Sequence, residues 1–151
     1  MSGSPTIQRI TSETLEEHRQ IHFYLDQIAV SLRTLGDDPT DVEPMRRLGA
    51  QIEGLKERLV EHHQTEEDGV FQAMLDVMPD CRVEVNRLIN QHEKMIDILE
   101  MARIHAHRGE ASEAGGLCTD MQSFLEMFRR HEHDEEQLIR RTIEREARSL
   151  D

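Results

Sequence analysis

Residues 48–67 read LGAQIEGLKERLVEHHQTEE, and their apolar side chains recur in alternating steps of four and three. This spacing is typical of a helix with one inward face. The inward positions are Leu48, Ile52, Leu55 and Leu59, followed by His62 and Glu66. A helix that points leucine and isoleucine into a core therefore points an imidazole and a carboxylate, one turn apart, into the same core. Because an unpaired buried carboxylate is costly, the pattern indicates a bound cation or a shared proton.

Three other stretches have the same amphipathic period, and each again places histidine on its apolar face. We expect the first helix to be capped at Thr11 or Ser12, with Ile10 and Leu15 packed across the cap. Leu15 is also the first residue of the predicted inward stripe of this helix. Asp80 is the expected capping residue of the third helix. The four predicted helices cover about residues 11–35, 40–78, 80–107 and 116 to near the end of the chain.

The composition favours an all-helical protein. The chain has 151 residues, of which 32% are charged and only 3% are aromatic, a balance that disfavours a sheet. We predict an all-α, up-down-up-down antiparallel four-helix bundle, formed by residues 11–151 after a lead-in of residues 1–10.

The charge excludes several classes of partner. A formal net charge of −13 argues against nucleic acid and anionic membrane surfaces, which would repel the chain. No apolar run approaches the roughly 20 residues of a membrane span, and Met1 to Pro5 lack the apolar core of a signal peptide. We therefore expect a cytoplasmic protein, either a monomer or a weak homo-oligomer.

The inward polar groups of all four predicted helices fall at one level of the bundle. With turns centred near residues 40, 79 and 113, the inward groups of successive helices differ by about two residues or fewer in their distance from the shared turn. At 1.5 Å per residue, this is a mismatch of about 3 Å or less. The predicted cluster comprises His18, His62, Glu66, His92, His131 and Glu135.

The chemistry of this cluster predicts a metal site. Imidazole and carboxylate groups without thiolate suit iron, manganese or zinc, and are too rich in nitrogen for calcium or magnesium. Six ligands are too many for one tetrahedral zinc ion. They are suited to two metal ions that share bridging carboxylates, with a position left open for another ligand.

The pattern H…HxxxE…H…HxxxE on four antiparallel helices resembles the hemerythrin-like (HHE cation-binding) domain over about residues 12–145. The matching segments are Leu15-x-x-His18-x-x-Ile21, His62-xxx-Glu66-Glu67 and His131-xxx-Glu135-Glu136. The resemblance implies two non-haem iron ions joined by an oxo or hydroxo bridge, with Glu66 and Glu135 as bridging carboxylates.

Two departures separate this chain from the respiratory hemerythrins. Those proteins have a second histidine one turn from the first on the third helix, where this chain has Leu88 and Ile96. They also carry HxxxxD on the fourth helix, whereas the spacing from His131 to Glu135 is one residue shorter. The pattern therefore resembles the bacterial H-HxxxE-H-HxxxE subgroup, and it weakens the case for reversible oxygen carriage.

Three further residues are candidates for an additional ligand or for a supporting position. His22 lies one turn after His18 and is predicted to face the core, as a ligand, a supporting or gating residue, or a hydrogen-bond partner of another helix. Glu67 and Glu136 lie beside the inward stripe and are predicted either to accept hydrogen bonds from ligand imidazoles or to face solvent.

The resemblance to hemerythrin-like proteins implies three candidate functions. The first is binding of O2 or NO, for storage, scavenging or sensing. The second is a di-iron redox enzyme acting on peroxide, NO or a damaged iron–sulfur centre. The third is an iron-handling protein. A ferritin-like oxidase is disfavoured because its Glu-x-x-His motif does not occur in this chain.

Overall fold

The computed structural model describes residues 4–37, 42–109 and 113–149. The helices are α1 (Ser4–Asp37), α2 (Val42–Asp68), α3 (Val70–Val77), α4 (Arg82–Arg108) and α5 (Ala114–Ser149), with a 3-10 turn at Pro79–Cys81. Helix α1 packs against α2 and α5, and α4 packs against the same two helices. Within the described ranges no residue is in a β-strand, and no helix is long and apolar enough to cross a membrane. The predicted all-α four-helix bundle is confirmed.

Two hydrophobic clusters fill the core. The first draws on residues 21–35, 45–59, 95–106 and 117–128, and the second on residue 7 and residues 70–78, 81–88 and 138–139. On every long helix the inward histidines lie between the two clusters. The clusters supply the hydrophobic stabilisation, about 1.5–3 kcal/mol for each large buried side chain. A polar layer between them opposes folding unless its charges are compensated.

Helix α1 begins earlier than predicted. It starts at Ser4, so the predicted cap at Thr11 or Ser12 is wrong, and the hydroxyl of Thr11 donates a hydrogen bond to the Ile7 carbonyl at 2.7 Å. Leu15, predicted to pack inward, is 37% exposed, whereas Thr14 is buried. The inward stripe of this segment contains two buried threonines, Thr11 and Thr14, of which the first was predicted to be the cap. The division of the chain at residue 10 remains a prediction.

The remaining boundaries differ in smaller ways. The second predicted helix is divided at Gly69 into α2 and α3. Asp80 does not cap α4, because a 3-10 turn precedes that helix and Cys81 occupies its N-terminal capping position without a side-chain hydrogen bond. The predicted turn near residue 40 lies largely in residues 38–41, outside the described ranges, as do residues 110–112 of the predicted last connection.

Gly69 tolerates no side chain, and Gly54 does. A Cβ atom at position 69 would lie 2.9 Å from the Thr65 carbonyl oxygen, while a Cβ at position 54 would meet no described atom within 4 Å. We therefore expect Gly69→Ala to lower the free energy of unfolding by about 1–2 kcal/mol. Gly54→Ala should raise it by about 0.5–1 kcal/mol, since alanine is the better helix former. Urea denaturation of both variants measures the difference, and equal effects would contradict it.

Candidate metal centre

The structure brings together the six side chains that the sequence singles out. His18 comes from α1, His62 and Glu66 from α2, His92 from α4, and His131 and Glu135 from α5. All six residues are at most 4% exposed. Each pair within one helix is spaced by four residues, so both members face the same level of the core. Four helices thus supply one compact layer of imidazoles and carboxylates.

The layer divides into two halves that share both carboxylates. In the first half, Glu66 Oε2 lies 3.4 Å from His18 Nε2 and 3.2 Å from His62 Nε2. In the second half, Glu66 Oε1 lies 3.0 Å from His92 Nε2 and 3.9 Å from His131 Nε2.

Glu135 is placed in the same way. Its Oε1 lies 3.1 Å from His18 Nε2 in the first half, and its Oε2 lies 3.2 Å from His131 Nε2 in the second. Each carboxylate therefore presents one oxygen to each pair of histidines, which is the arrangement of a ligand that spans two cations.

The outer nitrogens of three imidazoles are held by oxygen acceptors. His62 Nδ1 donates to Glu17 at 2.7 Å, and His92 Nδ1 donates to Glu67 at 2.9 Å. His131 Nδ1 donates to the amide oxygen of Gln91 at 2.7 Å. Because these oxygens only accept, Nδ1 of each of the three rings carries a proton and Nε2 is the nitrogen that faces inward.

The donor atoms fit metal ions in both number and spacing. Ligand atoms about 2.0–2.2 Å from a common ion lie roughly 3 Å apart. The other contacts within each half are 3.0–3.4 Å long, including the 3.1 Å between His92 Nε2 and His131 Nε2, and only the 3.9 Å between Glu66 Oε1 and His131 Nε2 is longer. Glu66 Oε1 and both oxygens of Glu135 are buried and have no hydrogen-bond partner among the described residues. Carboxylate oxygens buried together in this way are compensated by metal ions or by protons on the neighbouring imidazoles.

Comparison with known proteins agrees with this geometry. The model of the family described as Hemerythrin HHE cation binding domain matches residues 9–143, nearly the whole chain. The chain belongs to this family. Comparison with curated proteins found no match, and neither did comparison with solved structures. This hemerythrin-like domain therefore has buried His and Glu groups that could hold a metal ion.

The electrostatics of the layer couple it to protons. Burial lowers the pKa of His18 and His131, but Glu135 and Glu66 outweigh this effect and raise the pKa to about 10 for His18 and about 9 for His131. The pKa of His62 is also raised, because Glu66 and Glu17 overcome the effect of burial. Burial and the neighbouring Glu66 carboxylate raise the pKa of Glu135. Without cations, the hemerythrin-like layer therefore retains protons at neutral pH.

We expect metal binding to release protons and to strengthen as the pH rises. The imidazoles of His18 and His131 are protonated below pH 9 in the metal-free protein and must lose their protons to coordinate. Affinity should increase about tenfold per pH unit for each displaced proton between pH 6.5 and 9. Titration calorimetry with Mn²⁺ in two buffers of different ionisation enthalpy measures the release. Proton uptake, or an affinity independent of pH, would contradict the expectation.

The three additional candidates lie at different distances from the layer. His22, predicted to face the core, is instead 48% exposed at its side chain, and its Nε2 lies 2.9 Å from Glu132. Glu136 is half exposed, with a carboxylate oxygen 3.9 Å from His18 Nδ1. Glu67 accepts the hydrogen bond from His92 and thereby supports a predicted ligand. Whether any of the nine residues binds metal remains a prediction.

Sequence reasoning missed His63 as part of the site. It lies one position off the inward stripe of α2, yet it is only 5% exposed. Its ring stacks on His92 with a centroid distance of 3.7 Å and an interplanar angle of 6°, while Phe71 stacks on the ring of His92 at 5.5 Å. Burial, reinforced by His92, lowers the pKa of His63 to about 2. The adjacent histidines His62 and His63 were the one indication in the sequence. That His63 is buried could be recognised only once the position of α4 beside α2 was known.

Proposed function

We propose that this hemerythrin-like domain holds two iron ions and binds O2 or NO, reversibly or semi-reversibly, for storage, scavenging or sensing. His18 and His62 would hold one ion, and His92 and His131 the other. Glu66 and Glu135 would bridge the two. When bound, the iron pair supplies a redox-active centre with an open position for a diatomic ligand.

One observation carries the proposal: each carboxylate directs one oxygen to each pair of histidines. Oε1 of Glu66 is 3.0 Å from His92 Nε2, and its Oε2 is 3.2 Å from His62 Nε2. Each half offers two imidazoles and two carboxylate oxygens, and such mixed nitrogen and oxygen donors suit non-haem iron with open positions. The four protein donors in each half, fewer than the six positions of an octahedral ion, leave room for an exogenous ligand.

The supporting groups favour a rigid centre. Glu17, Gln91 and Glu67 fix three imidazole rings, and the Gln91 amide is itself oriented by donating to Asp134 at 3.2 Å. Rings held in this way keep their Nε2 atoms in place whether or not a ligand is bound. A cytoplasmic location and a monomeric or weakly associated state remain predictions.

The test begins with anaerobic ferrous reconstitution followed by exposure to O2 or NO. The proposal expects about two iron ions per chain and an absorption band that appears with O2 or NO and disappears when the gas is removed. Rapid O2 evolution from peroxide, or turnover of NO, would contradict the binding function and indicate a redox enzyme instead. Ready transfer of the iron to a mild chelator would indicate an iron-handling protein instead of a ligand-binding one.

A further inference from the structure

His63 is a buried imidazole that the proposed iron site does not use. Its ring lies parallel to the ring of His92, and it is 6.2 Å from the ring of His131. His63 Nε2 is buried and has no hydrogen-bond partner within the described part of the chain. A buried polar atom left unpaired costs about 1–3 kcal/mol, so a partner from outside the described residues would stabilise His63.

A groove of about 380 Å³ lies between α2 and α4 and is bordered by His63 and His92. One face of each helix forms its walls, and the lining residues of α2 are three or four residues apart, as expected for one face of a helix. The lining residues are Val60, His63, Gln64, Glu67, His92, Glu93, Ile96 and Asp97. Since His92 also faces Glu66 with its Nε2, one imidazole separates the groove from the carboxylate layer.

The charges of the groove select among small molecules. Glu67, Glu93 and Asp97 place three carboxyl groups along it, and its described lining contains no lysine or arginine. Anions are therefore repelled at neutral pH. Val60, 48% exposed, and Ile96 supply apolar wall, which suits a small uncharged molecule.

We propose that this groove is the access route by which a small uncharged ligand reaches the histidine–carboxylate layer, and that His63 Nε2 forms a hydrogen bond to that ligand. The inference rests on the proposed function and adds to it a route and a contact residue. Nε2 of a neutral imidazole can donate or accept, so it can pair with the polar end of a diatomic molecule.

A purely structural role for His63 makes a different prediction. If the ring serves only to hold His92 in its plane, His63→Phe should behave like the natural protein, because phenylalanine keeps a flat ring against His92. If Nε2 contacts the ligand, His63→Phe removes that bond, while His63→Gln retains a nitrogen donor. Comparison of the two variants separates stacking from hydrogen bonding.

The experiment measures NO binding to the iron-reconstituted protein by stopped-flow absorption. We expect NO to dissociate about tenfold faster from His63→Phe, the loss of one hydrogen bond, with substantial recovery in His63→Gln. Val60→Trp, which narrows the groove, should slow association. Val30→Trp is the matched control, because Val30 is also exposed (55%) but lies on α1 away from the groove.

The results distinguish failure of this inference from failure of the proposed function. If the natural protein takes up iron and binds NO, but His63→Phe keeps its dissociation rate, the contact is overturned. An association rate for Val60→Trp equal to that of Val30→Trp overturns the route, and this readout does not depend on whether His63→Phe folds. If the natural protein takes up no iron, or takes it up and does not bind NO, the proposed function fails first.

Discussion

Replacement of Glu66 by glutamine is expected to reduce bound iron from about two ions per chain to one or none. The substitution keeps the size of the side chain but replaces one of its two oxygens with an amide nitrogen, which does not coordinate in the same way. Oε2 serves the His18–His62 half and Oε1 the His92–His131 half, so one half must lose a donor. Loss of the negative charge also weakens attraction for both cations.

Glu57→Gln provides the control for this variant. Glu57 lies on the same helix, α2, and is exposed. Its substitution therefore removes an equal charge outside the layer. Metal analysis after anaerobic reconstitution should give the same iron content for Glu57→Gln as for the natural protein. Two ions per chain in Glu66→Gln would refute the bridging role of this carboxylate.

Metal loading is expected to stabilise the fold by about 4 kcal/mol or more when the free metal is near a thousand times its dissociation constant. The layer buries two carboxylates and four imidazoles between apolar clusters, and cations compensate charges that otherwise oppose burial. For a chain of this size the midpoint of thermal unfolding should rise by about 10 °C. Differential scanning calorimetry of metal-free and iron-loaded protein under anaerobic conditions measures the shift.

The same scans on Glu66→Gln separate metal binding at the layer from non-specific effects. The variant should lose most of the shift, because it binds fewer ions. A shift of equal size in both proteins would indicate that iron stabilises the chain from elsewhere, for example through the acidic surface implied by a net charge of −13.

Much of the site could be predicted because the polar residues continue an apolar period. His62 and Glu66 take the positions that leucine would occupy on α2, and His131 and Glu135 do the same on α5. Helix rise alone then relates the level of one helix to that of the next. The structure places all six groups in one layer, as the spacing of these residues in the sequence predicted.

The remaining features depend on packing between helices, which a period of 3.6 residues does not specify. On α1 it leaves adjacent positions ambiguous, and Leu15 and His22 were assigned inward whereas Thr14 is the buried residue. His63 is buried because α4 lies against its side of α2, which no pattern within α2 reveals. The break at Gly69 was likewise not predicted, although the close approach of the Thr65 carbonyl, 2.9 Å from where a Cβ would lie, is specific to this glycine.

The most direct test is diffraction from crystals of the iron-loaded protein, recorded at the iron absorption edge. The account predicts two anomalous peaks about 3–4 Å apart. One should lie between His18 and His62 and the other between His92 and His131, with Glu66 and Glu135 spanning both. A single peak, peaks outside this layer, or no peak after anaerobic reconstitution would contradict it.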